Sequence, residues 1–166
     1  QQIQWFIEHQ VKREDSLIIS YSEIDVGDEL PLMKWTPDAK MVKVLMNLSG
    51  WMDESETTLS PMSGPNRFND LASAQKEGFA KLIVPGNYGM MAMASAVEKW
   101  IPKSFMSKLD CVFRQPLIQD VEVQIGGVVT DRQVENGEII LELDLYIVRD
   151  DDQRPQGGTA IVRISK

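Results

Sequence analysis

The sequence contains few of the residue types that build disulfides, metal sites and nucleophilic catalytic centres. Its 166 residues include one histidine, His9, and one cysteine, Cys111. A single cysteine cannot form a disulfide within the chain, which indicates a reducing compartment, so we expect a cytoplasmic protein. The sequence holds no Cys/His metal cluster, no phosphate-binding glycine loop and no nucleophile elbow. We therefore expect neither a bound metal nor a cofactor.

Positive charge and long apolar runs are also scarce. The net charge is −8 at pH 7, which disfavours nucleic acids and anionic membranes as partners because both attract basic faces. No apolar run approaches the length of about 18 residues that indicates a membrane-spanning helix. With 43% hydrophobic and 25% charged residues, the composition is that of an ordinary soluble globular protein.

The length indicates one domain, at residues 17–166, which follows a lead-in segment at 1–16. The lead-in combines Trp5, Phe6 and Ile7 with several charged residues. This pattern is typical of an amphipathic helix that packs its aromatic pair on the domain or on a partner subunit.

Two helices are predicted in the first half of the domain, the first of them amphipathic. Residues 37–49 carry an apolar stripe, and Thr36 is suited to be the N-cap. A shorter helix is predicted at 70–77, with Asn69 as the N-cap and Gly78 as the residue that ends it.

A third helix, at 87–100, has a different composition. From Tyr88 to Val97 it contains no charged residue, and it includes several small side chains that allow close approach of a sheet. A helix that is apolar all round is expected to be buried all round. We therefore predict that it forms the centre of the domain.

The remaining segments have the composition of strands. They are Leu17–Tyr21, Glu29–Trp35, Leu109–Leu117, Val121–Val134, Glu138–Val148 and Thr159–Ile164. Asn136-Gly137 predicts a two-residue hairpin, and Gly126-Gly127 predicts a bulge or tight bend. A buried helix followed by an antiparallel meander predicts an α+β fold with the sheet wrapped on the helix.

The order of motifs in residues 48–90 resembles a known family. Leu48-Ser49-Gly50, Phe68-Asn69-Asp70 and Ile83-Val84-Pro85-Gly86 follow the frame of the MaoC-like dehydratase and (R)-specific enoyl-CoA hydratase family of hot-dog proteins. The resemblance covers about residues 20–165. It implies a single hot-dog domain with the helix at about 87–100 in its centre.

The resemblance also implies a reaction, but the residues for it are missing. In the family an Asp and a His activate a water, and a backbone N–H at the start of the buried helix polarises the thioester carbonyl. Alignment from Leu48-Ser49-Gly50 puts Trp51 in the position of the Asp. Alignment from Asn69-Asp70 puts Phe68 at the His and Ser63 at the Asp. None of these three side chains can replace the proton-transferring pair, so standard hydration is not expected.

The resemblance leaves two sets of candidate site residues. Asp53 and Glu56 are the candidate catalytic carboxylates, since a carboxylate whose pKa is raised by burial can act as a base, although acids on such a polar loop are more often solvated. The candidate substrate-binding residues are Trp51, Pro85, Gly86, Asn87 and Met90. A coenzyme A thioester is the implied substrate, and the acidic chain would need a local cluster of Lys and Arg to bind it.

Two functions remain open on these grounds. The chain is either a divergent hydratase-like lyase that binds an acyl thioester or similar apolar ligand, or a non-catalytic hot-dog subunit that binds acyl groups or completes a partner's active site. Hot-dog proteins pair their sheets edge to edge. We therefore expect a homodimer, or a heterodimer with another hot-dog subunit, joined through edges near the late strands 121–148.

Overall fold

The computed structural model describes residues 23–48 and 64–165. The helices are α1 (Ala39–Leu48), α2 (Leu71–Lys76) and α3 (Gly86–Trp100); the strands are β1 (Glu29–Trp35), β2 (Ile83–Val84), β3 (Phe105–Phe113), β4 (Leu117–Ile118), β5 (Val123–Glu135), β6 (Glu138–Val148) and β7 (Gln156–Ile164). The predicted lead-in at 1–16, the first strand at 17–21 and most of the predicted loop at 51–66 lie outside the described residues.

The main sheet has five antiparallel strands in the order β1-β5-β6-β7-β3. Helix α3 contacts β1, β3, β5 and β6. Alternate residues of the central strands form the core of the domain, among them Ile125, Leu143, Leu145, Ile147 and Val162. Each such side chain contributes about 1.5–3 kcal/mol when it is buried. The predicted α+β fold, an antiparallel sheet wrapped around a helix, is confirmed.

Helix α3 lies within one residue of its predicted bounds, but its burial is not complete. Its buried residues are Tyr88, Gly89, Ala92, Met93, Ala96, Val97 and Trp100. Met91 is 48% exposed, so the prediction of a helix buried on every side is wrong. The sheet wraps around part of the helix circumference, and Met91 lies outside that part. No helix in the described ranges is long and apolar enough to cross a membrane.

The strands after α3 follow the predicted pattern closely in the middle and less well at the ends. Asn136 and Gly137 have φ angles of 49° and 83°, which confirms the predicted hairpin turn between β5 and β6. Strand β3 begins at Phe105, earlier than predicted, and the predicted stretch up to Leu117 is interrupted after Phe113. Leu117 instead begins β4, which pairs with β2 as a separate two-stranded ladder.

Gly126-Gly127 does lie at a bulge, but the extra residue belongs to the neighbouring strand. Leu30 pairs with Gly127 and Met33 pairs with Ile125, so β1 has one residue too many opposite Gly126. A Cβ at Gly126 would lie 2.7 Å from the Tyr146 hydroxyl oxygen and 2.8 Å from Leu32 Cδ2. The glycine therefore makes room for side chains from both neighbouring strands.

The residues that cap the two short helices differ from the predicted ones. The Asp38 side chain, and not Thr36, accepts from the backbone N–H of Met41 at 2.6 Å at the start of α1. At the same helix start, the N–H of Ala39 donates a hydrogen bond of 3.1 Å to the Asp120 carboxylate. A carboxylate is favourable at this position because the first turn has free N–H groups and a positive dipole end.

At the start of α2 the cap is Asp70, and the predicted cap Asn69 has another partner. The Asp70 carboxylate accepts from the N–H of Ser73 at 2.7 Å, whereas the Asn69 side chain accepts from the N–H of Asn66. Gly78, with φ of 91°, ends the helix as predicted.

The edges of the sheet are not where the sequence predicted them. Strand β6 and the part of β5 that pairs with β1, residues 123–128, lie inside the sheet, so these parts of 121–148 are not the expected pairing edge. Sequence order does not reveal this, because β1 and β3 are added outside the β5-β6-β7 meander by long-range pairing. Among the described residues, the outer strands of the main sheet are β1 and β3, and β5 beyond Val129 pairs only with β6.

The Asp70 cap yields a pH-dependent prediction. Hydrogen bonds from Ser73 lower the pKa of the Asp70 carboxyl below its ordinary 3.8. A pKa that is lower in the folded state stabilises the fold above the unfolded pKa, and this contribution is lost as the pH falls through the folded pKa. Asp70→Asn keeps an acceptor at the cap but does not titrate. Thermal denaturation of wild type and D70N should therefore differ at neutral pH and converge below about pH 4. A difference that stays constant from pH 7 to 3 would contradict this.

Candidate functional site

The start of α3 is a helix end whose N–H groups have no side-chain cap. Pro85 is the N-cap residue, with φ of −55° and ψ of 132°, and its side chain makes no capping hydrogen bond. Gly86 and Asn87 are the first two residues of the helix. Because the first N–H groups of a helix lack intrahelical acceptors and lie at the positive end of the dipole, this turn can bind a partly negative oxygen.

An aromatic ring from the edge strand lies beside this helix start. A Cβ at Gly86 would be 3.2–3.3 Å from three carbon atoms of the Phe113 ring, so the ring packs closely against the glycine. Phe113 is the last residue of β3, and more than half of its surface is exposed. The first turn of α3 therefore lies next to the edge of the main sheet.

A buried amide lies beneath the same turn. Gln156 is the first residue of β7, is 1% exposed and pairs with Phe113 on one side and Ile147 on the other. Its Oε1 occupies the space that a Cβ at Gly89 would need. No group in the described ranges donates a hydrogen bond to this oxygen. Such an unsatisfied buried atom costs about 1–3 kcal/mol.

A second buried amide oxygen at this end of α3 also lacks a hydrogen-bond donor. The Oδ1 of Asn87 is buried and has no hydrogen-bond partner among the described residues. By contrast, the amide of Gln119, also buried, donates to the carbonyl oxygens of Phe68 and Ile83 at 2.8 Å each. The Gln119 amide therefore joins two chain segments, whereas the two amide oxygens near the helix start have no donor among the described residues.

The structure describes some of the predicted site residues and not others. Trp51, Asp53 and Glu56 lie outside the described residues. Pro85, Gly86 and Asn87 are adjacent at the helix start; Met90 follows within the next turn and is half-buried.

Phe68, which aligns with the catalytic His of the family, is part of the hydrophobic core. Its side chain is buried, and the Arg67 guanidinium lies 5.2 Å from the centre of its ring. A cavity of about 460 Å³ opens beside it. The described residues that line the cavity are Ala39, Lys43, Met46, Pro65, Phe68, Asn69, Asp70, Leu82 and Gln119. Sequence reasoning missed this cavity, because its walls come from α1, the turn before α2 and the segments beside β2 and β4.

Three arginines lie around the end of the sheet that carries Phe113 and Gln156. Arg149 bonds Asp151 at 3.3 Å and Gln115 at 2.8 Å. The Arg154 guanidinium stacks 4.1 Å from the centre of the Tyr146 ring. Arg114 lies against Gly157, whose hypothetical Cβ would be 3.0 Å from the guanidinium. We call Arg114, Arg149 and Arg154 the arginine cluster.

Groups for metal or thiol chemistry are not assembled in the described part of the chain. Within 23–48 and 64–165, no three His, Cys, Asp or Glu side chains lie close enough to hold a metal ion. Cys111 is half-buried in β3, and burial, with a contribution from Asp110, raises the pKa of its thiol. The thiol is therefore protonated at neutral pH and a poor nucleophile.

No protein-family model matches the sequence, and no curated protein matches it significantly. Several solved structures match the fold. The (R)-hydratase from A. caviae involved in PHA biosynthesis is 20% identical, with 84% of this chain and 96% of that chain covered and a TM-score of 0.67. The MaoC-like dehydratase from Rhodospirillum rubrum is 15% identical, with 89% and 97% covered and a TM-score of 0.67.

A third similar structure is a complex of subunits. The C-terminally truncated HadBC complex of Mycobacterium tuberculosis, a (3R)-hydroxyacyl-ACP dehydratase, is 10% identical, with 86% of this chain and 99% of that chain covered and a TM-score of 0.64. At these identities the likeness concerns the fold. The resemblance predicted from the motifs is confirmed at that level, and the chain has the hot-dog fold that MaoC-like dehydratases and (R)-hydratases share.

Proposed function

We propose that this protein binds an acyl thioester, or a similar apolar ligand with a carbonyl group, at the start of α3. The observation that carries the proposal is the first turn of that helix, whose N–H groups at Gly86 and Asn87 have no side-chain cap in the described chain. The carbonyl oxygen of the ligand accepts from this turn, where the helix dipole favours negative charge. The exposed ring of Phe113 forms one side of the site.

Two features outside the first turn of α3 are suited to the other parts of such a ligand. The cavity beside Phe68 has an apolar wall that includes Met46 and Leu82, which is suited to a hydrocarbon group. The arginine cluster lies at the same end of the sheet, but Arg154 stacks on Tyr146 and Arg114 lies against Gly157, and both of these positions face away from α3. A phosphate-bearing carrier such as coenzyme A would reach these charges by extending around the end of the sheet. Arg114 and Arg154 have no ion pair in the part of the chain that the structure describes.

The absence of the family's catalytic Asp and His limits the reactions that the bound ligand can undergo. A phenylalanine at the position of the family's His cannot accept or donate a proton, so an ordinary rate of hydration is not expected. Asp53 and Glu56 are the carboxylates that we propose as general bases if the protein acts as a hydro-lyase. The main function on this view is binding and polarising the acyl group.

We further propose that the protein pairs with a second hot-dog subunit through β3. Three large apolar residues of this edge strand, Phe105, Val112 and Phe113, are exposed. An edge strand has unpaired backbone N–H and C=O groups, which invite a further strand. The HadBC complex, which has a similar fold, contains more than one subunit. The partner is a second copy of this chain or another hot-dog subunit.

The donor at the helix start can be tested by deleting one N–H group. Proline is favoured at the first position of a helix, and the extended ψ of 132° at Pro85 suits a residue that precedes proline. Gly86→Pro should therefore keep α3 and remove one donor, and it should weaken butyryl-CoA binding about tenfold in calorimetry. Gly86→Ala is the matched control, because it adds similar bulk beside Phe113 and keeps the N–H. Equal affinities of G86P and G86A would refute the proposed site.

Hydration of crotonyl-CoA by the wild-type protein should be negligible. Loss of a general acid or base typically lowers a rate by about 10²–10⁴-fold, and here both members of the pair are replaced. The decrease in absorbance of the enoyl thioester measures the reaction directly. Turnover near the ordinary enzymatic value of about 10 per second would show that other groups, first of all Asp53 and Glu56, replace the pair.

Assembly can be tested with two valines of similar exposure. Light scattering at micromolar concentration should give about twice the 18.8 kDa mass of the chain. Val112→Glu adds a charge to the edge strand β3 and should produce a monomer. Val134→Glu is the control, since Val134 is 58% exposed and Val112 54%, but Val134 lies on β5, three strands away from β3 in the sheet order. A monomeric wild type, or dissociation by both variants alike, would contradict pairing through β3.

A further inference from the structure

The two outer strands of the main sheet differ in how open they are to a further strand. Strand β1 contains Pro31, and its register with β5 is irregular between Leu30 and Met33. Prolines and bulges are two of the devices that keep a sheet edge from pairing. Strand β3 contains no proline, and from Lys108 to Phe113 it pairs with β7 in regular register. Of the two outer strands in the described part of the chain, β3 is therefore the better template for pairing.

The order of side chains along β3 is complementary to its own reverse. The strand reads Phe-Met-Ser-Lys-Leu-Asp-Cys-Val-Phe, and Leu109 is its middle residue. Lys108 and Asp110 carry opposite charges on either side of this leucine, and Phe105 and Phe113 end the strand. When two identical strands pair antiparallel about a twofold axis, residues at equal distances from the axis lie opposite each other. An axis at Leu109 would thus match each positive charge with a negative one.

We propose that β3 pairs with β3 of a second copy of this chain, antiparallel and centred on Leu109. The inference rests on the proposed pairing of subunits through β3, and it names the partner and the register, both of which that proposal leaves open. In this register each Lys108 lies directly opposite Asp110 of the partner subunit. The two copies of Leu109 lie opposite each other on the twofold axis.

The two charged side chains lie on the face of the sheet where they can meet those of a second copy. Lys108 pairs with Ile161 and Asp110 with Thr159, two positions apart, so both side chains point to the same face. Leu109, on the other face, packs against the core. Within the chain, Lys108 Nζ lies 2.6 Å from Asp110 Oδ2, and both side chains are more than half exposed. Pairing brings the two ion pairs together as four alternating charges, and opposite charges on neighbouring strands stabilise a sheet.

The apolar ends of β3 also meet in this register. Phe105 of one copy lies at the same end of the pair as Val112 and Phe113 of the other copy. All three side chains are large, apolar and exposed, so their removal from water at both ends favours association. A different subunit would have to carry the matching order of charges and apolar residues, whereas a second copy provides it by symmetry.

The test reverses the two charges in separate proteins and then mixes them. Lys108→Glu places acidic side chains opposite each other in a pair of identical copies, and Asp110→Lys places basic ones opposite each other. Each variant alone should dimerise about tenfold more weakly than wild type in analytical ultracentrifugation at low salt. An equimolar mixture should dimerise about as tightly as wild type. In the mixed pair the new glutamate faces the new lysine, and the remaining Asp110 faces the remaining Lys108.

Mixing isolates the contact between copies, because each chain keeps the same internal contacts alone and in the mixture. Net charge does not predict the same result, since D110K makes the acidic chain less negative and would by that effect alone favour self-association. The matched control is the exposed ion pair of Lys34 with Glu122, 3.0 Å long, beside the opposite outer strand β1. K34E and E122K should dimerise as wild type does, both alone and mixed.

The outcomes separate this inference from the proposed pairing itself. Dimers that are weak for K108E and D110K alone and restored in their mixture would support the register centred on Leu109. If each variant dimerises as tightly as wild type, or if the mixture restores nothing, that register is wrong. Dissociation by V112E would then still support pairing through β3. If wild type is a monomer, or if V112E leaves the dimer intact, the proposed pairing is wrong and this inference is wrong with it.

Discussion

The packing of α3 on the inner face of the main sheet is the contact on which the rest of the structure depends. The helix approaches closely because it presents Gly89, Ala92 and Ala96 to its surroundings, all of which are buried. The sheet provides the matching surface through alternate apolar residues of β5, β6 and β7. This contact also places the first turn of α3 beside β7 and the end of β3, where Gly89 meets Gln156 and Gly86 meets Phe113. The position of the candidate site is therefore a consequence of core packing.

The features that the sequence predicted correctly depend on local rules. The hairpin at Asn136-Gly137 and the helix end at Gly78 both follow from positive φ angles that few other residues adopt. The predictions that failed depend on choices between neighbours or on long-range pairing. Thr36 and Asp38 are both suited to cap α1, and the choice is made by which side chain reaches the free N–H groups. The sheet edges depend on pairings between distant strands, which hydrophobic periodicity does not encode.

For the same reason, sequence reasoning could predict only part of the candidate site. Pro85, Gly86 and Asn87 are consecutive, so a motif predicts them together. Gln156 follows a polar turn and a proline in the sequence and has no pattern that indicates burial. Its proximity to Gly89 is a contact between residues 67 positions apart, and it becomes visible when the space around the glycine is measured. A glutamine at the start of a predicted strand next to a glycine-containing helix is the combination to look for in similar chains.

Phe113 connects the candidate site with the edge at which we propose that subunits pair. Its ring packs on Gly86, and it is also the last residue of the exposed edge strand. A strand added to β3 would cover the exposed part of this ring, so pairing would change the access to the first turn of α3 and reduce its contact with water. Hydrogen bonds between that turn and a carbonyl are stronger where water is excluded. Under the proposed pairing, assembly and ligand binding would therefore be coupled through one aromatic side chain.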